Sequence, residues 1–119
     1  MFVYYMNVPL NKNGIKEFDS YDEKMENVKT FELTEKEYSE LRKKRGLFQK
    51  FDEKLGIMID VCEEERIDNE KLADALQIAN NLLKKQENKV VVQAIKKVIN
   101  SLECAIESGT FWEIDIYVE

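Results

Sequence analysis

The stretch FWEIDIYVE, residues 111–119, decides the fold of this chain. Its side chains alternate, with Trp112, Ile114, Ile116 and Val118 on one face and Phe111, Glu113, Asp115, Tyr117 and Glu119 on the other. Successive residues of a β-strand point to opposite faces of the sheet, so the alternation predicts a strand with an apolar inner face and an acidic, aromatic outer face. Aromatic and β-branched residues at 2–8 predict another strand, which Pro9 ends.

Working inward from these two strands, the chain is mainly helical. Thr34 and Glu37 form a capping box at the start of one predicted helix, and a second, shorter helix ends at Gly56. Asp68 and Asn88 are suitable N-caps for two longer helices, near residues 69–86 and 89–108. The link between the two is short, which predicts an antiparallel hairpin.

The remaining segments are less regular. Residues 28–33 alternate and predict a short strand, whereas residues 10–27 contain many turn-forming side chains and predict a polar connection. We therefore expect an α+β fold, with a small antiparallel sheet that includes both terminal strands, packed on about four helices, and with a C-terminal helical hairpin. At 119 residues the chain should form a single domain, residues 1–119.

The residue types present argue against catalysis and against bound cofactors. The chain holds no histidine, its four glycines are scattered, and its two cysteines are far apart in sequence. The usual general base, the phosphate-binding loops and the spacing of a zinc site are therefore missing. We expect no enzymatic activity, no cofactor and no metal. Two reduced cysteines, no apolar run of about 20 residues and no signal peptide predict a cytoplasmic protein that does not enter a membrane.

The negative charge is concentrated in one segment. Residues 52–74 hold nine acidic and three basic residues, and their net charge of −6 equals that of the whole chain. Three interpretations are open: a solvated surface, a calcium site, and a docking surface for a basic protein. Calcium loops need a sharp glycine turn, and the segment from Asp60 to Glu65 has none. A surface that serves only solubility would mix charges of both signs, which favours docking.

Two groups of residues are therefore candidates for binding a partner. The acidic segment supplies Asp60, Glu63, Glu64, Glu65 and Asp68. The outer face of the last strand supplies Glu113, Asp115 and Tyr117, which combine negative charge with an aromatic anchor. Phe111 and Tyr117 have an alternative placement, packed beneath the first strand or the polar connection.

The chain resembles small acidic bacterial toxin-immunity proteins at DVCEEERI, residues 60–67, and at SGTFWEIDI, residues 108–116. The likeness is one of size, acidity and layout, and no functional residue carries over from that group. It implies a cytosolic, non-catalytic inhibitor that binds a cognate toxin, such as a basic nuclease-type toxin domain, and blocks its active site.

We therefore expect an immunity protein whose acidic surface binds and neutralises a basic toxin domain. The alternatives are a phage- or plasmid-encoded inhibitor that mimics nucleic acid, a self-associating structural or regulatory subunit, and a carboxylate hydrolase. Direct binding to nucleic acid is not expected, because the sequence pI is near 4.9.

Overall fold

A computed structural model of the chain describes residues 2–22, 24–59 and 64–118, and within them the chain forms four strands and five helices. In chain order these are β1 (Phe2–Pro9), α1 (Lys12–Asp19), β2 (Val28–Leu33), α2 (Glu35–Arg42), α3 (Leu47–Leu55), β3 (Glu64–Ile67), α4 (Asn69–Leu83), α5 (Lys89–Ser108) and β4 (Trp112–Val118). Among the described residues, no helix combines the length and the apolar character needed to cross a membrane.

The strands form one antiparallel sheet in the order β2-β1-β4-β3. The first and last strands lie side by side at its centre, with Phe2 paired to Val118 and Asn7 paired to Glu113. The predicted α+β class and the predicted pairing of the terminal strands are both confirmed.

The core lies between one face of the sheet and the helices α2 to α5. Its largest fully buried side chains include Trp112, Phe48, Phe51 and Met6. The indole Nε1 of Trp112 donates a hydrogen bond to Ser101 Oγ over 2.8 Å, and Ser101 Oγ in turn donates to the Val98 carbonyl over 2.7 Å. The polar edge of the tryptophan is thus satisfied inside the core.

The helices begin and end at the predicted capping residues, although Asp68 makes no side-chain capping hydrogen bond at the start of α4. The Thr34 hydroxyl accepts from the Glu37 amide over 3.1 Å, and the Glu37 carboxylate accepts from the Thr34 amide over 2.9 Å, which completes the capping box. The Asn88 side chain accepts from two amides at the start of α5, and Gly109 ends that helix with φ of 67°. The antiparallel α4–α5 hairpin is as predicted.

Two elements differ from the prediction. The connection predicted at 10–27 contains the helix α1, which the side chain of Asn11 caps by accepting from the Gly14 amide over 2.9 Å. The acidic segment contains the edge strand β3, which pairs with β4. Helix α1 covers the face of the sheet opposite the core, and β3 adds a strand to that face. Both changes therefore affect the candidate site. Cys104 is a free, half-buried thiol, as expected, and Cys62 lies outside the described residues.

Candidate functional site

The sheet has a second face, opposite the core, on which polar and tyrosine side chains gather. We call it the acidic face and define it by Tyr5, Asn7, Thr30, Glu64, Arg66, Glu113, Asp115 and Tyr117. The register sets these residues in rows across the strands. Asn7 is opposite both Thr30 and Glu113, and Arg66 is opposite Glu113 on its other side.

Side-chain hydrogen bonds join each pair of neighbouring strands on this face, and the one between β1 and β4 is diagonal, from Asn7 to Asp115 in the next row. Thr30 Oγ1 donates to Asn7 Oδ1 over 2.6 Å, and Asn7 Nδ2 donates to Asp115 Oδ2 over 2.7 Å. At the far end, Arg66 Nε donates to Glu113 Oε1 over 3.0 Å. The bonds fix the orientation of each side chain, and a fixed orientation is what a binding or catalytic site requires.

Arg66 is held by aromatic rings as well as by acids. Its guanidinium lies 3.7 Å from the ring centre of Phe111, and its Nη2 is 3.3 Å from Asp19 Oδ1 of α1. The ring of Phe18 meets that of Phe111 edge-on, with 5.8 Å between centroids. Two contacts around Arg66 thus join α1 to the sheet: the ion pair with Asp19 and the packing of Phe18 on Phe111.

Glu113 and Asp115 are buried, with exposed fractions of 6% and 4%. Burial, together with the hydrogen bond and the negative charge of Asp115, raises the pKa of Glu113 to about 8, although Arg66 acts in the opposite direction. Burial also raises the pKa of Asp115. The pair therefore retains a proton at neutral pH, because one arginine cannot compensate two buried carboxylates.

A cavity of about 460 Å³ opens beside this pair, and we call it the aromatic pocket. Its walls include Tyr5, Phe18, Tyr21, Met25, Asp115 and Tyr117. Three of these side chains are exposed at the rim: Tyr21 by 75%, Tyr117 by 48% and Met25 by 40%. Exposed aromatic groups around a pocket with a carboxylate in its wall are typical of a binding surface.

The acids of the face could also hold a metal ion. Glu64, Glu113 and Asp115 each offer one oxygen, and these atoms lie within 4.8 Å of one another. Hard divalent cations prefer such carboxylate ligands. In this arrangement, however, Arg66 already binds Glu113 and Asn7 already binds Asp115, so a metal would compete with existing partners.

The predicted binding residues separate into three sets. Asp60 and Glu63 lie outside the described residues. Glu64 is exposed and joins the carboxylates of β4, whereas Glu65 turns back to accept from the Met58 amide over 2.7 Å, and Asp68 is exposed just before α4.

The outward exposure expected for Glu113 and Asp115 is wrong. Helix α1 and the edge strand β3 flank their face of the sheet, and Arg66 and Asn7 supply the partners that allow acids to be buried there. Phe111 is buried on the same face, while Tyr117 is exposed at the pocket rim.

Several residues of the site were not predicted from the sequence, namely Tyr5, Asn7, Tyr21, Thr30 and Arg66. Asn7 gives one usable signal, since it is a polar residue in an otherwise apolar strand. Arg66 gives another, because it is the single base between Asp60 and Asn69. Neither signal shows which side chain the residue contacts, because that depends on the register of the sheet.

A second, larger groove of about 810 Å³ lies between α3 and α4. Its lining includes Arg45, Lys50, Lys54 and Lys85, with Asp74 as an acidic neighbour. These are long surface side chains, and none of the charged residues lining this groove is buried. The acidic face is the stronger candidate because two of its charged residues, Glu113 and Asp115, are buried and held by hydrogen bonds.

Comparison of the chain with protein-family models, with curated proteins and with solved structures finds no match.

Proposed function

We propose that this protein is a non-catalytic, cytoplasmic inhibitor that binds a basic toxin domain, and that the aromatic pocket receives a cationic side chain of the toxin. One observation carries the proposal: the acidic face holds more carboxylates than cations. Glu64, Glu113 and Asp115 share one arginine, and the pocket beside Asp115 has room for another positive group.

The distribution of charge supports association with a basic partner. The segment 52–74, with a net charge of −6, includes Glu64 of β3, which belongs to the acidic face. The negative field of such a segment accelerates the encounter with a positively charged protein and weakens as salt is added. Electrostatic attraction would therefore set the association rate.

The pocket rim supports the second step, the formation of a lasting complex. Tyr21, Met25 and Tyr117 expose apolar area that a partner can cover, and Asp115 offers a fixed acceptor below them. A desolvated charge pair with aromatic anchors around it is the usual composition of a binding hot spot. Dissociation would be slow because the charge pair and the apolar contacts at the rim must break together.

The test requires a candidate toxin, for which the product of the neighbouring reading frame is the first choice. Binding is measured at low and at high salt for the unmodified protein, for Asp115→Asn and for Glu107→Gln. Glu107 is exposed on α5, so its variant removes one charge without touching the acidic face. We expect salt-sensitive binding that Asp115→Asn weakens by at least about tenfold and Glu107→Gln leaves nearly unchanged. Absence of binding at both salt concentrations, or equal binding by all three proteins, would contradict the proposal.

The raised pKa of Glu113 favours a second candidate function, acid–base hydrolysis. A carboxyl group that keeps its proton near neutral pH beside an ionised carboxylate can act as a general acid. This candidate predicts turnover of a substrate that Glu113→Gln abolishes. We rank it second because Arg66 and Asn7 occupy hydrogen-bonding positions on the two acids that a substrate would need.

A further inference from the structure

Tyr21 ends helix α1 in a Schellman motif, in which the Tyr21 amide donates to the Phe18 carbonyl over 3.2 Å and the Asp22 amide to the Glu17 carbonyl over 3.1 Å. Its φ is +53°, in the left-handed region, at the position after the C-cap Ser20 of α1 where glycine is usual. This region is unfavourable for any residue with a Cβ, because the Cβ lies too close to the following carbonyl oxygen, and bulky residues are rare there. The ring is also 75% exposed, so burial within the chain does not compensate.

The conformation does place the tyrosine in the wall of the aromatic pocket. Tyr21 lines that pocket together with Tyr117 and Asp115, and Tyr117 lies against Tyr5 with 5.7 Å between the ring centroids. Strained residues are concentrated at binding and catalytic sites, where the surrounding structure maintains them. Among the described residues, the other non-glycine residue with positive φ is Arg45, which lines the larger groove, so the location of Tyr21 is distinguished by the buried carboxylate of Asp115 in the same pocket wall.

The neighbouring part of the acidic face shows how this sheet binds a guanidinium. The carboxylate of Glu113 lies at the edge of the Arg66 guanidinium, with 3.0 Å between Nε and Oε1. The ring of Phe111 lies against its flat side, with 3.7 Å from the guanidinium carbon to the ring centre. The pocket offers the same two components next to each other, the carboxylate of Asp115 and the rings of Tyr21 and Tyr117. A planar guanidinium can use both, whereas the ammonium of lysine has no flat side to stack.

We propose that the aromatic pocket is selective for an arginine side chain of the partner over a lysine, and that Tyr21 is the specificity-determining residue that stacks on the guanidinium. This inference rests on the proposed function and adds to it the chemical class of the group that enters. It also explains why a tyrosine occupies a position that glycine would fill with less strain.

The test uses small probes in place of the unidentified partner. The labelled protein is titrated with N-acetyl-arginine amide, N-acetyl-lysine amide and the neutral isostere N-acetyl-citrulline amide, and amide chemical shifts near Tyr5, Asp115 and Tyr117 are followed by NMR. We expect the arginine probe to bind at least about threefold more tightly than the lysine probe, and the citrulline probe not to bind.

The variants separate the role of Tyr21 from that of the charge. Tyr21→Gly should weaken the arginine probe about two- to fivefold while raising the midpoint of thermal unfolding, because glycine relaxes the left-handed backbone. Tyr21→Phe keeps the ring and should bind as the unmodified protein does. Asp115→Asn should reduce binding of both cationic probes.

The outcomes distinguish the two proposals. If both cations bind equally and Tyr21→Gly has no effect, while Asp115→Asn still weakens binding, the arginine selectivity is wrong and capture of a cation stands. If neither cation perturbs the pocket, both proposals are overturned.

Discussion

The guanidinium of Arg66 lies over the ring of Phe111, 3.7 Å from its centre, and connects the edge strand β3 to β4. The same guanidinium donates to Glu113 and reaches Asp19 on α1. Three elements that are distant in sequence therefore meet at one side chain. Its loss should loosen the whole acidic face.

The first prediction replaces Arg66 with lysine. Arg66→Lys keeps the charge but removes the planar group that stacks on Phe111, so the free energy of unfolding should fall by about 1 kcal/mol. Urea unfolding measures this change. Arg45→Lys, at an exposed position, is the matched control and should have little effect. Equal effects of the two variants would show that the stacked geometry adds no stability.

The second prediction concerns pH. The pKa of Glu113 is about 8 in the folded protein, whereas its ordinary value, which applies to the unfolded chain, is 4.5. Between pH 4.5 and pH 8 the folded state therefore binds more protons than the unfolded state. The associated stability is fully present below pH 4.5 and is lost as the pH rises through 8. The slope is at most about 1.4 kcal/mol per pH unit for one proton.

Urea unfolding between these two pH values measures this effect. With no histidine in the chain, few other groups titrate in this range. Glu113→Gln resembles the protonated carboxyl group and should flatten the slope, whereas Glu107→Gln should leave it unchanged. A stability that is constant or rises over the range in the unmodified protein would contradict the shared proton.

The third prediction tests the buried contact between Trp112 and α5. Ser101→Ala removes the acceptor of the indole hydrogen bond and leaves the Nε1 group buried without a partner, at a cost of about 1–3 kcal/mol. Ser39→Ala, at an exposed position of α2, is the control. A loss no larger than that of the control would indicate that the core rearranges around the indole.

The fourth prediction addresses how α1 is positioned over the sheet. A Cβ on Gly14 would overlap the carbonyl oxygen of Asn27, which is backbone and cannot turn aside. Gly14→Ala should therefore destabilise the protein by roughly 1–3 kcal/mol, even though alanine favours the helix by about 1 kcal/mol. Asn13→Ala changes an adjacent, exposed residue of α1 and is the control.

The same variant should disturb the site. Because α1 carries Phe18 into the wall of the aromatic pocket, a displaced helix should shift the NMR signals of Asp115 and Tyr117. Unshifted signals and unchanged stability in Gly14→Ala would show that the approach of α1 to Asn27 is looser than the structure indicates.

The elements that were predicted correctly carry local signals. The capping box of Thr34 and Glu37, the Asn88 cap and the left-handed Gly109 lie within a few residues of the helices they delimit. The first and last strands are identified by alternation and by Pro9. Their pairing followed from the expectation that a small domain needs one sheet.

The elements that were missed depend on distant partners. Helix α1 has eight residues and only Ile15 and Phe18 as large apolar side chains, too few for a clear period. Strand β3 consists mostly of charged residues and exists because β4 pairs with it. The contact between Arg66 and Glu113 spans 47 positions, so burial of the acids could not be read from the sequence.

The central pairing of β1 with β4 has a consequence for how the molecule assembles. Asn7 and Asp115 are in contact although 108 positions separate them, and closing so long a loop is entropically costly and slow. During synthesis β1 leaves the ribosome long before β4 and can pair only with β2 meanwhile. The aromatic pocket combines Tyr5 of β1 with Asp115 and Tyr117 of β4, so it is absent from a chain in which these two strands have not yet paired.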